Sequence, residues 1–209
     1  RLALEGNRAA NGVTMDACRG AAIYLARSAD CEVEAVYEAD FAGEGLGFQM
    51  CRDIRIRGCR CDGNLGNGFH PGAGSTNALF EDCQAEGNEQ AGFFFCVRAT
   101  RITVRGGAFR RNGRGMSIGT RDCRNLVEDC VLEANRGPGI LTRAGARPIE
   151  VHAVLVRRCE VTDNGRETGA AQIAVEAAAH DLIIEKCRLR GAVGIQLAAG
   201  VERVFLTGL

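Results

Sequence analysis

The sequence predicts an all-β fold: a single-stranded right-handed parallel β-helix, a solenoid with coils of about 21–25 residues. Three observations lead there. A glycine-led apolar phrase recurs along the chain, a second strand-like run follows it in each period, and cysteine and asparagine fall in fixed columns.

The phrase reads Gly47-Phe48, Gly68-Phe69, Gly92-Phe93, Gly115-Met116 and Gly139-Ile140, and its apolar anchors lie 21, 24, 23 and 24 residues apart. The residue after the glycine is expected to face inward, so the anchors Phe48 to Ile140 form one interior stripe. The second run reads Ile54–Arg57, Ala78–Glu81, Ile102–Arg105, Leu126–Glu128, Val154–Arg157 and Leu182–Glu185. Several of these alternate apolar with polar residues, as a strand buried on one face does. No segment carries a sustained helical period, and each coil is too short to hold a helix. Before Phe41 the pattern is less regular, with strands expected at Ile23–Leu25 and Cys31–Val33. From Ile140 to Ile173 the spacing grows to 33 residues, which places a loop around Ala144 to His152, containing Pro148. Insertions in solenoids map to loops on one face, often the binding face.

One elongated domain over 1–209 is expected. The chain begins at Arg1 without methionine and stops just after Val204-Phe205-Leu206, so it reads as an excised or processed part of a longer chain. Basic and acidic residues balance at 26 each, which argues against nucleic-acid and anionic-membrane partners. No apolar run is long enough to span a bilayer.

Eleven cysteines raise the question of disulfides or zinc. Cys59, Cys83, Cys130, Cys159 and Cys187 follow the second strand. Residues at one coil position point the same way, which suits a buried thiol ladder better than cross-links. Cys59-Arg60-Cys61 lacks the usual zinc spacing. Cys51 and Cys96 are expected to point outward and to be open to solvent, with no histidine placed beside either. Asn64, Asn88, Asn112, Asn135 and Asn164 close a turn. Asparagine tolerates left-handed backbone there, and stacked amides can bond from coil to coil. No metal and no cofactor are expected.

Alternation gives an outward row of Gln49, His70, Phe94, Ser117 and Leu141, and a second row of Cys51, Gly72, Cys96, Gly119 and Arg143. Such a mixture suits the floor of a groove better than a solvated face. Arg98 and Arg121 occupy matching turn positions, and Asp122 or an anionic ligand could separate their charges. His70 is the candidate base, because imidazole titrates near neutrality. Arg121 and Arg143 would neutralise a substrate carboxylate. Gln49, Phe94, Arg98, Ser117 and Asp122 are the candidate substrate contacts. His152 and His180 suggest no constellation. Asp16, Glu38, Asp40 and Glu176 are further acids without an assigned place.

The stretch Asn67-Gly68-Phe69-His70-Pro71-Gly72, running through Thr76-Asn77 to Gly92-Phe93, resembles the catalytic coil of mannuronan C5-epimerases. The repeat phrases as a whole resemble right-handed β-helix proteins of the pectin-lyase-like class and uncharacterised bacterial β-helix proteins. The epimerase motif reads Tyr-Gly-Phe-Asp-Pro-His. Its tyrosine falls on Asn67, its aspartate on His70 and its histidine on Gly72, so the family's machinery does not carry over. The resemblance implies a polysaccharide-sized groove at this place. Three functions follow. One is an enzyme acting on acidic glycans by proton abstraction, as a lyase or epimerase. The second is a carbohydrate-binding or adhesin-like β-helix without catalysis. The third is a structural rod. An extracellular or periplasmic location is expected.

Overall fold

The computed structural model describes residues 2–11, 20–144 and 150–209. Among them there is no helix. Three eight-stranded sheets, all parallel, wrap one interior. Each full coil contributes one strand to each sheet in turn. Sheet 1 contains Ala21–Ala26, Glu44–Gln49, Phe69–Pro71, Ala91–Phe94, Arg114–Ile118 and Ile140–Thr142, and continues to Ile195–Leu197. Sheet 2 holds the longer strands, such as Arg52–Arg57, Thr76–Glu81 and His180–Glu185. Sheet 3 is built of short strands such as Arg60–Asp62 and Gln84–Glu86. Sequence periodicity gives two strands per coil. The third was missed because three residues are too few to show alternation.

The interior stripe exists, with one correction. The strand pairing sets Leu46, not Phe48, beside Phe69, and the row continues through Phe93, Met116, Ile140, Ile173 and Ile195. Phe48 lies two residues further on, opposite Pro71. Both are interior, since alternation maps i and i+2 to one face. The phrase therefore slips by two residues in its first coil. Six phenylalanines (48, 69, 80, 93, 95 and 109) pack in this half of the core, with ring centroids 4.7–6.2 Å apart. Aromatic pairs at such distances add about 0.5–1.5 kcal/mol beyond the area they bury.

The corners turn through left-handed residues stacked in columns, for example Asp53, Asn77 and Arg101 at φ near +57°. Such a conformation costs a non-glycine residue roughly 1–2 kcal/mol. An inter-coil hydrogen bond offsets it, as where Asp82 N donates to Arg105 O at 2.9 Å. The asparagine column does not supply this geometry. It sits one residue past the left-handed corner formed by Gly63, Gly87, Arg111, Ala134 and Asp163. Its role is the buried amide ladder. Each Nδ2 donates to the next Oδ1, at 2.9 Å from Asn64 to Asn88 and 2.7 Å from Asn135 to Asn164. Gln172 Oε1 closes the ladder, accepting from Asn164 Nδ2 at 2.9 Å.

The thiol ladder is present. Cys59, Cys83, Cys130, Cys159 and Cys187 are free and buried. Each thiol donates to the carbonyl two residues back, for example Cys130 Sγ to Glu128 O at 3.2 Å. The coil between Cys83 and Cys130 has Gly107 in that place. A Cβ there would sit 2.7 Å from the Phe109 ring, which fills the space the thiol would take.

The even charge balance has a structural basis. Along the edge of sheet 2, register partners alternate in sign: Glu34, Arg57, Glu81, Arg105, Glu128, Arg157 and Glu185. Glu128, 2% exposed at its side chain, receives Arg105, Arg157 and Arg158 at 2.7–2.8 Å. Cross-strand pairs of opposite charge fix register where like charges would oppose it.

Candidate functional site

Gly47, His70, Phe94, Ser117 and Leu141 form one outward row on sheet 1. Gln49 is not in it. The two-residue slip moves Gln49 to the next row, where its side chain lies over Gly72. Cys51 also leaves the outward face, and it is buried in the core. Cys96 is buried too, against the expectation of open thiols.

His70 is 3% exposed. Its Nδ1 lies 2.5 Å from Glu44 Oε2, and Asn67 Nδ2 donates to Glu44 Oε1 at 2.8 Å. Glu44 is itself buried and reaches across Gly47, where an added Cβ would come within 3.2 Å of the carboxylate. Burial works to lower the His70 pKa, but the Cys96 thiol and Glu44 oppose it, and together they raise it to about 9. A histidine does therefore stand near Cys96, contrary to the sequence reading.

The His70 ring meets Phe94 edge-on at 5.1 Å. The Arg143 guanidinium covers the Phe94 ring at 4.2 Å. Its Nη1 donates to Ser117 Oγ at 2.6 Å, and its Nη2 donates to Phe95 O at 2.8 Å. Gly119 makes this possible, because a Cβ there would fall 2.2 Å from the guanidinium. Burial lowers the Arg143 pKa and Asp122 counters it. Asp122 is wholly enclosed. Its oxygens accept the amides of Ala99 and Gly119, each at 2.8 Å, and Arg143 Nη2 lies 3.9 Å away. Burial is the largest influence on Asp122 and pushes its carboxyl up to about 8.

The structure thus joins His70, Phe94, Arg143, Ser117 and Asp122, with Gln49 alongside. It does not join Arg98 and Arg121. Both are exposed at left-handed corners, with φ of 67° and 62°, and no described contact ties their side chains to this cluster. The unplaced acids also resolve. Glu38 lies inside the core against Cys61, and Asp40 pairs with Arg8 at 3.6 Å. Glu176 accepts the Ala144 amide at 2.6 Å. Asp16 and Pro148, with most of the loop expected around Ala144 to His152, fall outside the described residues. His152 and His180 do form a group: their rings stack at 5.2 Å, and His180 contacts Glu150 and Asp181. A hollow of about 570 Å³ lies on sheet 2 between charges of both signs, including Asp53, Arg55 and Arg101. None of the candidate residues lines it.

The sequence matches the family described as "Right handed beta helix region" over residues 2–153. The chain belongs to the right-handed β-helix family. No curated protein matches it by sequence. Among solved structures, this β-helix is similar to the Azotobacter vinelandii mannuronan C-5 epimerase AlgE4 A-module, with TM-score 0.65 and 13% identity over 87% of this chain and 61% of that one. It is also similar to the periplasmic alginate epimerase AlgG, with TM-score 0.63 and 13% identity over 88% of this chain and 42% of that one. A third similar structure is the Streptococcus pneumoniae surface protein and adhesin PfbA, with TM-score 0.52 and 9% identity over 87% and 64% of the two chains. At these identities the likeness establishes the fold. The β-helix spans less than two thirds of the length of each of the three.

Glu44, Asn67 and Cys96 are the site residues that sequence reasoning missed. Glu44 and Asn67 precede the glycine phrase in adjacent coils, and Gly45 N donates to Asn67 O at 3.0 Å. Aligning the coils on Leu46 instead of Phe48 would have stacked the two side chains and exposed the pair.

Proposed function

We propose that this β-helix is a polysaccharide-active protein that holds an acidic glycan across the outer face of sheet 1. It acts there by proton transfer beside the sugar carboxylate, as a lyase or epimerase does. The observation that carries this reading is the sequence of contacts from buried Glu44 through His70 and Phe94 to Arg143. Phe94 and Arg143 are the more open members, so the sugar meets them first. An aromatic face suits the apolar side of a pyranose, and a guanidinium suits a carboxylate. Neutralising that carboxylate makes the adjacent C–H more acidic. His70 is the base. With its pKa raised to about 9, it takes a proton most readily on the alkaline side. Ser117 and Asp122 hold Arg143 in place, and Gln49 borders the path of the chain. Arg121 and Arg98 contact outlying parts of a long polymer from their corner positions. The location is extracellular or periplasmic, as such a substrate requires.

A second reading is glycan binding without turnover. It is favoured by the enclosure of His70 and by the engagement of both nearby carboxylates, Glu44 by Asn67 and His70, and Asp122 by two backbone amides. A panel of acidic polysaccharides, assayed for unsaturated uronate by ultraviolet absorbance and for C5 inversion by NMR, separates the two. Turnover that rises towards pH 9 and is lost in His70→Gln supports the enzyme. Binding without turnover, unchanged in His70→Gln, supports the second reading. Absence of binding removes both.

A further inference from the structure

We propose that Cys96, His70 and Glu44 act as nucleophile, proton acceptor and orienting carboxylate, making Cys96 a reactive thiol selective for small electrophiles that carry a negative charge. Glu44 Oε2, 2.5 Å from His70 Nδ1, fixes which ring nitrogen is left over. That nitrogen, Nε2, is enclosed and has no hydrogen-bond partner among the described residues. Leaving a buried polar atom unpaired costs about 1–3 kcal/mol, and such atoms mark sites with a use for them. Cys96 stands on the neighbouring coil, its amide donating to Pro71 O at 3.1 Å. Its thiol is among the groups that favour the charged imidazole, and it also acts on Arg143.

The contrast with the ladder thiols is chemical. Those donate to carbonyls, and burial raises the pKa of Cys59 and pushes that of Cys83 up to about 12. Cys96 donates no such bond among the described residues. A thiol beside a histidine that a carboxylate orients is the arrangement that activates sulfur nucleophiles. In the step, the Sγ–H proton passes to His70 Nε2. The sulfur pair forms a bond to the electrophilic carbon, and the leaving group departs with its bonding pair. Glu44 stabilises the imidazolium that results. The imidazolium so formed and the Arg143 guanidinium both present positive charge, which favours an anionic electrophile.

This inference shares His70 with the glycan reading but requires no glycan. The experiment omits glycan, so either can fail alone. The folded protein is treated with limiting iodoacetate or iodoacetamide, and every cysteine is followed by peptide mass spectrometry. Among the described cysteines, exposure alone would rank half-exposed Cys31 and Cys123 first. The expected result is that Cys96 reacts about tenfold faster than either. Its preference for iodoacetate over iodoacetamide should also exceed that of glutathione. His70→Gln should slow Cys96 about tenfold while leaving Cys31 and Cys123 unchanged. Cys96 reacting no faster than Cys31 and Cys123 in the unaltered protein would overturn the proposal, whether or not the variant folds. So would a folded His70→Gln variant that labels at the original rate.

Discussion

Glu44 reaches over the bare backbone of Gly47 to place a carboxylate oxygen 2.5 Å from His70 Nδ1, and both residues are buried. Removing one partner of such a pair costs more than the pair contributes, because the other is left buried and unmatched. Glu44→Gln should therefore lower the His70 pKa from its raised value near 9, as read from its ring shifts by NMR. The linkage has a definite sign. A histidine whose folded pKa is raised from 6.5 to about 9 contributes fully below pH 6.5, and that contribution is lost as pH rises through 9. The drop is on the order of 3 kcal/mol. Chemical denaturation across this window should show it in the unaltered protein and a smaller drop in Glu44→Gln, where the Cys96 thiol alone still raises the His70 pKa. Equal pH slopes would show that the pair carries no linkage.

Glu38 makes a separate pH prediction. Its side chain is enclosed in the core, with Oε1 unpaired and Oε2 receiving Cys61 Sγ at 3.1 Å. Burial pushes its pKa from 4.5 to about 7. A carboxyl raised in this way keeps the fold most stable below pH 4.5, and the advantage fades as pH rises through 7. Glu38→Gln should gain on the order of 3 kcal/mol at pH 8 and little at pH 4. Paired thermal melts at the two pH values check this, and a uniform shift at both would contradict it.

Asn112 sits in the middle of the amide ladder. Its Oδ1 accepts from Asn88 N and Nδ2 at 3.0 and 2.9 Å, and its Nδ2 donates to Ala85 O at 3.0 Å. Asn112→Ala leaves those buried groups without partners. It should cost about 2–4 kcal/mol and lower the melting temperature. The same change at exposed Asn11, which donates only to Gly6 O, should cost much less. Similar losses at both sites would mean that the ladder is not a special source of stability.

The fold was legible because a solenoid repeats its instructions. Glycine, asparagine and cysteine columns each carry the period, so an error in one coil is corrected by the next. The site was legible in part. His70, Phe94, Ser117 and Arg143 emerge from alternation and a count of about two dozen residues per coil. Gln49 was misplaced, and Glu44 missed, because the first coil offers two apolar residues, Leu46 and Phe48, and either can serve as the anchor. Cys96 was set apart from His70 because the two lie diagonally, one coil over and two residues along, where no single row joins them. Arg98 and Arg121 do occupy matching exposed corners, but no described contact ties their side chains to the cluster. The third strand of each coil stayed hidden because three residues show no period.

Arg143 and Phe94 carry the claim that sheet 1 receives an acidic sugar chain. The most direct measurement is calorimetric titration with a uronate oligosaccharide and with a neutral one of equal length. The expected result is binding of the uronate alone, weakened about tenfold or more by Arg143→Gln and by Phe94→Ala. Equal affinity for the two sugars, or uronate binding that neither substitution disturbs, would contradict it.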